Sequence, residues 1–82
     1  MELCQVFRWK AYFTWLSLHS PKGYPDVVLV REDRLVFAEL KSERGKVTQA
    51  QQEWLDALKA TGKCEVYVWR PSDWENVIII LS

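Results

Sequence analysis

Gly23-Tyr24-Pro25-Asp26-Val27-Val28-Leu29-Val30, then Arg31-Glu32-Asp33-Arg34, then Leu35-Val36-Phe37-Ala38-Glu39-Leu40-Lys41, is the stretch on which the fold turns. Gly23 permits a tight approach and Pro25 holds an extended-compatible backbone, so Asp26 stands at the mouth of the apolar run Val27 to Val30, a strand. The second run is rich in strand-forming residues. Its side chains alternate, which puts Glu39 and Lys41 on one face and Ala38 and Leu40 on the other. The polar Arg31 to Arg34 break has hairpin length, so the strands are expected to pair antiparallel and make neighbours of Asp26 and Glu39.

Two carboxylates converging at a strand end offer hard oxygen ligands of the kind Mg2+ or Mn2+ prefers. A metal there polarises a phosphoryl oxygen, and Lys41 on the same face is placed to orient the attacking water or to neutralise charge building on phosphorus. An arbitrary Glu-x-Lys is usually something plainer, a solvated cross-strand pair, with Asp26 then only a turn residue. The Pro25-Asp26 step upstream favours the metal.

Downstream, Thr48-Gln49-Ala50-Gln51 has the form of a capping box, and a periodic run through Trp54, Leu55 and Leu58 continues to a stop at Gly62. Positions 51, 54, 55 and 58 share one helical face, with Gln52, Asp56 and Lys59 on another. Gln51 is thus the polar residue on the core-facing side. It either closes the capping box or serves the site, and spacing alone does not choose between them.

The motif and its surroundings resemble the VRR-NUC domain of the PD-(D/E)xK nuclease superfamily. The resemblance rests on Gly23-Tyr24-Pro25-Asp26, on Glu39-Leu40-Lys41, on the glutamine of the following helix, and on the stretches Phe37 to Lys46 and Val68 to Trp74. It runs from about Trp9 to Val77. It implies a restriction-endonuclease-like α/β core, a mixed β-sheet with a central antiparallel hairpin flanked by helices. It also implies divalent-metal-dependent cleavage of DNA, often selective for branched forms such as four-way junctions, and homodimers among compact phage and bacterial members. Carried onto this chain, Asp26, Glu39, Lys41 and Gln51 become the catalytic set, and Asp26, Glu39 and the carbonyl of Leu40 the metal ligands. Family members usually add an acidic residue from a full N-terminal helix; Glu2 is the sole acid at that place here, and it stays outside the expected ligand set.

Composition bounds the rest. The 82 residues are 49% hydrophobic and 27% charged, with a formal net charge of zero, and one domain over residues 1–82 is expected. So small a core is often supplemented by oligomerisation. Five tryptophans, three tyrosines and three phenylalanines exceed what such a core hides easily, so some are expected on a dimer interface and others, Trp54 among them, inside. A pI near 6.6 does not mark a nucleic-acid binder by overall charge. Local charge is more telling: Lys22, Lys41, Arg44 and Lys46 are expected to form a basic rim that touches DNA phosphates, with Arg44-Gly45-Lys46 as a flexible loop. Taken alone, such a cluster reads as a solvated charge run.

Cys4 and Cys64 are far apart and lack zinc-ligand spacing, so reduced thiols in a bacterial or phage-infected cytoplasm are the expectation. Neither a charged leader with a long apolar stretch nor a membrane-spanning segment is evident. His19 with Ser17 or Ser20 is a weak signal for nucleophilic catalysis, because no acid or oxyanion donor is positioned with it. The expected element order is a short helix, three strands (the first over about Trp9 to Leu18), the capped helix, a strand over Glu65 to Trp69, and a closing helix after Pro71. Besides the nuclease, two readings stay open: a DNA-binding or assembly module that keeps the fold without cutting, and a purely structural interaction domain.

Overall fold

The computed structural model describes residues 2–16 and 19–82, without the side chains of Glu2 and Leu16. Helix α1 spans Glu2–Val6, β1 Lys10–Phe13, β2 Val27–Arg31, β3 Arg34–Leu40, α2 Gln49–Ala60, β4 Glu65–Trp69 and α3 Trp74–Leu81. The strands form one four-stranded mixed sheet in the order β1-β2-β3-β4. β1, β2 and β3 meander antiparallel, whereas β4 returns through α2 to lie parallel to β3. Helices cover the sheet, so the molecule is α/β.

The β2–β3 pairing runs from Arg31 opposite Arg34 to Val27 opposite Ala38, which leaves Glu32 and Asp33 as a two-residue loop. β3 is central and is buried from Val36 through Glu39. On one face Val27, Leu29, Val36 and Ala38 meet Cys4, Trp9, Trp69, Val77 and Leu81 in the main core. Arg31 seals its margin: its guanidinium lies 4.5 Å from the Trp9 ring centre and donates to the carbonyls of Phe7 (3.1 Å) and Leu81 (3.0 Å). The Leu81 carbonyl also accepts the Trp9 indole N–H at 2.9 Å, so Arg31 and Trp9 together tie the end of α3 to the segment that follows α1. On the other face Tyr24 packs edge-on to both Phe37 and Trp54.

Helix α2 has the capping box expected of it. Leu55 is buried, Gln51, Trp54 and Leu58 are half-buried, and Gln52, Asp56 and Lys59 are exposed, which reproduces the face assignment from helical spacing. The tail Val77 to Leu81 is helical despite its β-branched residues, because Val77 and Leu81, one turn apart, are both buried in the core. One strand is shorter than expected: β1 ends at Phe13, and Thr14–Leu16 is a 3-10 turn. The Thr14 hydroxyl donates to the carbonyl of Pro25 at 2.6 Å and its amide to that of Asp26 at 2.8 Å. Thr14 therefore ties the chain to the turn instead of extending the ladder.

Candidate metal centre and nucleic-acid interface

The antiparallel register that ends at Val27 opposite Ala38 brings the next residue out on each strand, Asp26 and Glu39, to the same sheet end. Asp26 is fixed from three sides. Its carboxylate Oδ2 accepts the Leu40 amide at 2.9 Å, its carbonyl accepts that of Thr14, and the preceding Pro25 is itself buried. Gly23 lets this turn approach α2: a Cβ there would lie 2.5 Å from the carbonyl carbon of Ala50, and its φ of +83° belongs to the left-handed region.

Glu39 is the unusual group. Only 1% of it is exposed, and its Oε2 has no hydrogen-bond partner among the described residues. Burial, then the hydrogen bond with the Asp26 carboxyl and the Asp26 charge, push the Glu39 carboxyl up to about 8, with Lys41 acting in the opposite direction. An orphaned, buried carboxylate oxygen beside a second carboxylate has acceptor capacity that nothing fills. Hard oxygen donors so placed fit a small divalent cation, which would satisfy the orphan and replace the proton that Glu39 otherwise keeps.

Lys41 follows directly, its amide donating to the Trp69 carbonyl at 2.9 Å, so the main chain is anchored on β4 where the side chain starts. Asp26, Glu39, Leu40 and Lys41 are therefore together. Gln51 is engaged elsewhere: its side-chain Oε1 accepts the Thr48 main-chain amide at 2.9 Å and its own main-chain amide donates to the Thr48 hydroxyl at 3.2 Å. Both halves of the capping box are thus made, and Gln51 joins none of the carboxylate contacts among the described residues. No group of three or more His, Cys, Asp and Glu side chains converges among the described residues; the Glu2 side chain and Ser17 lie outside them. Cys4 and Cys64 are both free thiols.

Lys22, Arg44 and Lys46 are exposed and Lys41 half-buried. The Arg44-Gly45-Lys46 loop is not the free segment expected. Arg70 reaches across to it, its Nη1 donating to the carbonyls of Ser42 and Gly45, each at 2.6 Å. In return the Glu43 carboxylate accepts the Ser72 amide at 2.5 Å and the Ser72 hydroxyl at 2.9 Å. The loop after Lys41 and the turn after β4 thus hold each other. Arg70, Glu43 and Ser72 carry no sequence signal for this, since Arg70-Pro71-Ser72-Asp73 reads only as a helix start. Arg70→Ala is expected to cost about 2 kcal/mol, the range of hydrogen bonds made by a charged donor. Hydrogen exchange should accelerate at residues 43–46 while the β2–β3 ladder keeps its protection.

A family model described as the VRR-NUC domain matches residues 2–73. No curated protein and no solved structure matches the chain.

Proposed function

This chain belongs to the VRR-NUC domain family, a family of nucleases, and from that membership and the Asp26–Glu39 pair we propose a divalent-metal-dependent DNA endonuclease. The observation that carries the reading is the buried Glu39 carboxylate with an unpartnered oxygen next to Asp26. The order α1-β1-β2-β3-α2-β4-α3 supports a restriction-endonuclease-like core.

Asp26, Glu39 and the Leu40 carbonyl would hold Mg2+ or Mn2+, which supplies Lewis acidity toward the phosphoryl oxygen and the attacking water. The residues of the chain do the rest. Loss of the proton that burial keeps on Glu39 frees its carboxylate to join that of Asp26 as a ligand. The Lys41 ammonium orients the water and offsets the negative charge that grows on the phosphoryl oxygens as one P–O ester bond breaks and the new one forms. Lys22, Arg44 and Lys46 take flanking phosphates, the last two on a loop whose shape Arg70 sets in advance, which lowers the ordering cost of binding. Gln51 supports the nucleophile through its side-chain Nε2 while its Oε1 stays on the cap.

Branched DNA and a homodimer complete the reading, because two copies would set two centres on one junction. The edge strand β1 and its surroundings support an interface between copies: Tyr12, Trp15 and Val30 are 54%, 55% and 41% exposed. The assay is incubation with synthetic four-way junction, flap and linear duplex in Mg2+ or Mn2+, beside sedimentation of the same protein. Junction cutting ahead of linear DNA, by a dimer, is expected. Folded dimer that cuts none of them would leave a DNA-binding or assembly module on a nuclease fold.

A further inference from the structure

Among the described residues the buried polar side chains are Glu39 and Thr14, 1% and 4% exposed. Glu39 belongs to the candidate centre, and Thr14 stands on the other side of the same ligand. The β1–β2 register ends with Phe13 opposite Val27, so the next residue out on each strand, Thr14 and Asp26, face each other. The two bonds Thr14 donates fall on consecutive peptide groups: its hydroxyl goes to the Pro25 carbonyl at 2.6 Å and its amide to the Asp26 carbonyl at 2.8 Å. One of these groups precedes the Asp26 Cα and the other follows it. Each is a rigid plane, so a single residue fixes both backbone torsions of Asp26 and with them the direction in which its side chain leaves the chain. At its far end that side chain accepts the Leu40 amide on Oδ2 at 2.9 Å. Thr14 is held in turn, because the Ser20 hydroxyl donates to its carbonyl at 3.3 Å.

The hydroxyl is the part that the strand pairing does not require. Valine has nearly the same shape, would keep the main-chain bond to Asp26 and would avoid the cost of burying a polar group. What it would lose is the hold on the Pro25 carbonyl, and so the plane that orients the next residue. We propose that Thr14 is a positioning residue of the centre: its hydroxyl aims the Asp26 carboxylate toward Glu39, where the cation would sit. It touches neither the ion nor DNA and acts through Asp26 alone, as the outer partners of a metal ligand set that ligand's orientation. This role rests on the reading of Asp26 and Glu39 as metal ligands, and it places part of the centre outside the Gly23 to Lys41 stretch.

Hydrogen exchange in EDTA reads the orientation without metal, because the Leu40 amide is bonded to the Asp26 carboxylate. Thr14→Val removes the hydroxyl and keeps the shape, whereas Thr14→Ser keeps the hydroxyl. In Thr14→Val the Leu40 amide should exchange on the order of tenfold faster, the worth of one hydrogen bond, while amides within the β2–β3 ladder keep their wild-type protection. In Thr14→Ser it should exchange as in the wild-type chain. Titration calorimetry of Mn2+ at pH 8 should find binding about ten- to a hundredfold weaker in Thr14→Val and near wild-type in Thr14→Ser. Unchanged Leu40 exchange in Thr14→Val, or unchanged Mn2+ affinity, would overturn the proposal. So would a Thr14→Val chain that fails to fold or loses protection throughout the ladder, since the hydroxyl would then serve general stability. A Thr14→Ser chain as impaired as Thr14→Val would overturn it too, by making the lost methyl the cause. A wild-type chain that takes up no Mn2+ bears on the metal reading alone, and the exchange comparison still decides whether the Thr14 hydroxyl orients Asp26.

Discussion

Lys41→Ala is expected to reduce DNA cleavage on the order of a hundred- to a thousandfold, the usual loss for one charge-stabilising donor, while the protein unfolds at nearly the same denaturant concentration. The two halves of this expectation have different causes. The main chain at Lys41 is held by its amide, which donates to the Trp69 carbonyl, and by the Arg70 clamp on the next residue, and neither involves the Lys41 side chain. Removing that side chain leaves the register of β3 on β4 intact. The ammonium, however, is the cation that acts on the buried Glu39 carboxyl, and in the proposed reaction it meets charge that exists only as the phosphodiester breaks. The loss should therefore fall on kcat, with KM for DNA nearly unchanged. Single-turnover cleavage beside equilibrium denaturation checks both; a Lys41→Ala protein that cuts at the wild-type rate removes Lys41 from the mechanism.

Glu39→Gln is expected to stabilise the metal-free protein at pH 8 to 9 by on the order of 3 kcal/mol, and to do little near pH 4.5. Burial and Asp26 hold the Glu39 carboxyl at about 8 in the folded chain, against an ordinary 4.5. Between those values the unfolded chain has released the proton and the folded chain keeps it. Stability is therefore fully present below about 4.5, declines as pH rises, and levels off above about 8, where the folded carboxylate is charged as well. Glutamine has the same shape and never charges, so its advantage grows across that window. A divalent cation should compensate the wild-type chain by replacing the proton, so Mn2+ should raise the wild-type melting temperature more at pH 8 than at pH 6 and leave Glu39→Gln unmoved. Thermal melts across pH, with and without Mn2+, measure all of this. A wild-type stability that rises from pH 5 to pH 8 without metal contradicts it. The same substitution is expected to end cleavage, which makes Glu39 a residue kept at the expense of stability.

The parts of the fold that follow from short-range rules are legible in the chain. A polar break between two strand-like runs forces a hairpin, and the hairpin alone makes Asp26 and Glu39 neighbours. Thr48 and Gln51 announce the start of α2, and the spacing of Trp54, Leu55 and Leu58 names its buried face. The parts decided by contacts between distant residues are not legible. β1 ends at Phe13 because Thr14 bonds to Pro25 and Asp26 across eleven or more positions, which no local pattern encodes. The loop after Lys41 looks free until Arg70, more than twenty positions away, is placed over its carbonyls. The tryptophans divide by the same logic: Trp9 and Trp69 are buried, Trp54 is half-buried, and Trp15 and Trp74 remain exposed. Composition counts five of them, but only the packing of α1 and α3 on the sheet decides which face inward. Within the candidate site, pairing of the carboxylates follows from register, whereas the unpartnered Glu39 oxygen and the engagement of Gln51 with Thr48 emerge only from side-chain geometry.

Titration calorimetry of Mn2+ into the wild-type chain, Asp26→Asn and Glu39→Gln at pH 8 tests the metal centre most directly. The wild-type protein should bind the ion, and each substitution should abolish binding while circular dichroism shows the fold retained. A folded wild-type chain that takes up neither Mn2+ nor Mg2+, or variants that bind as the wild-type chain does, would contradict the assignment of Asp26 and Glu39 as its ligands.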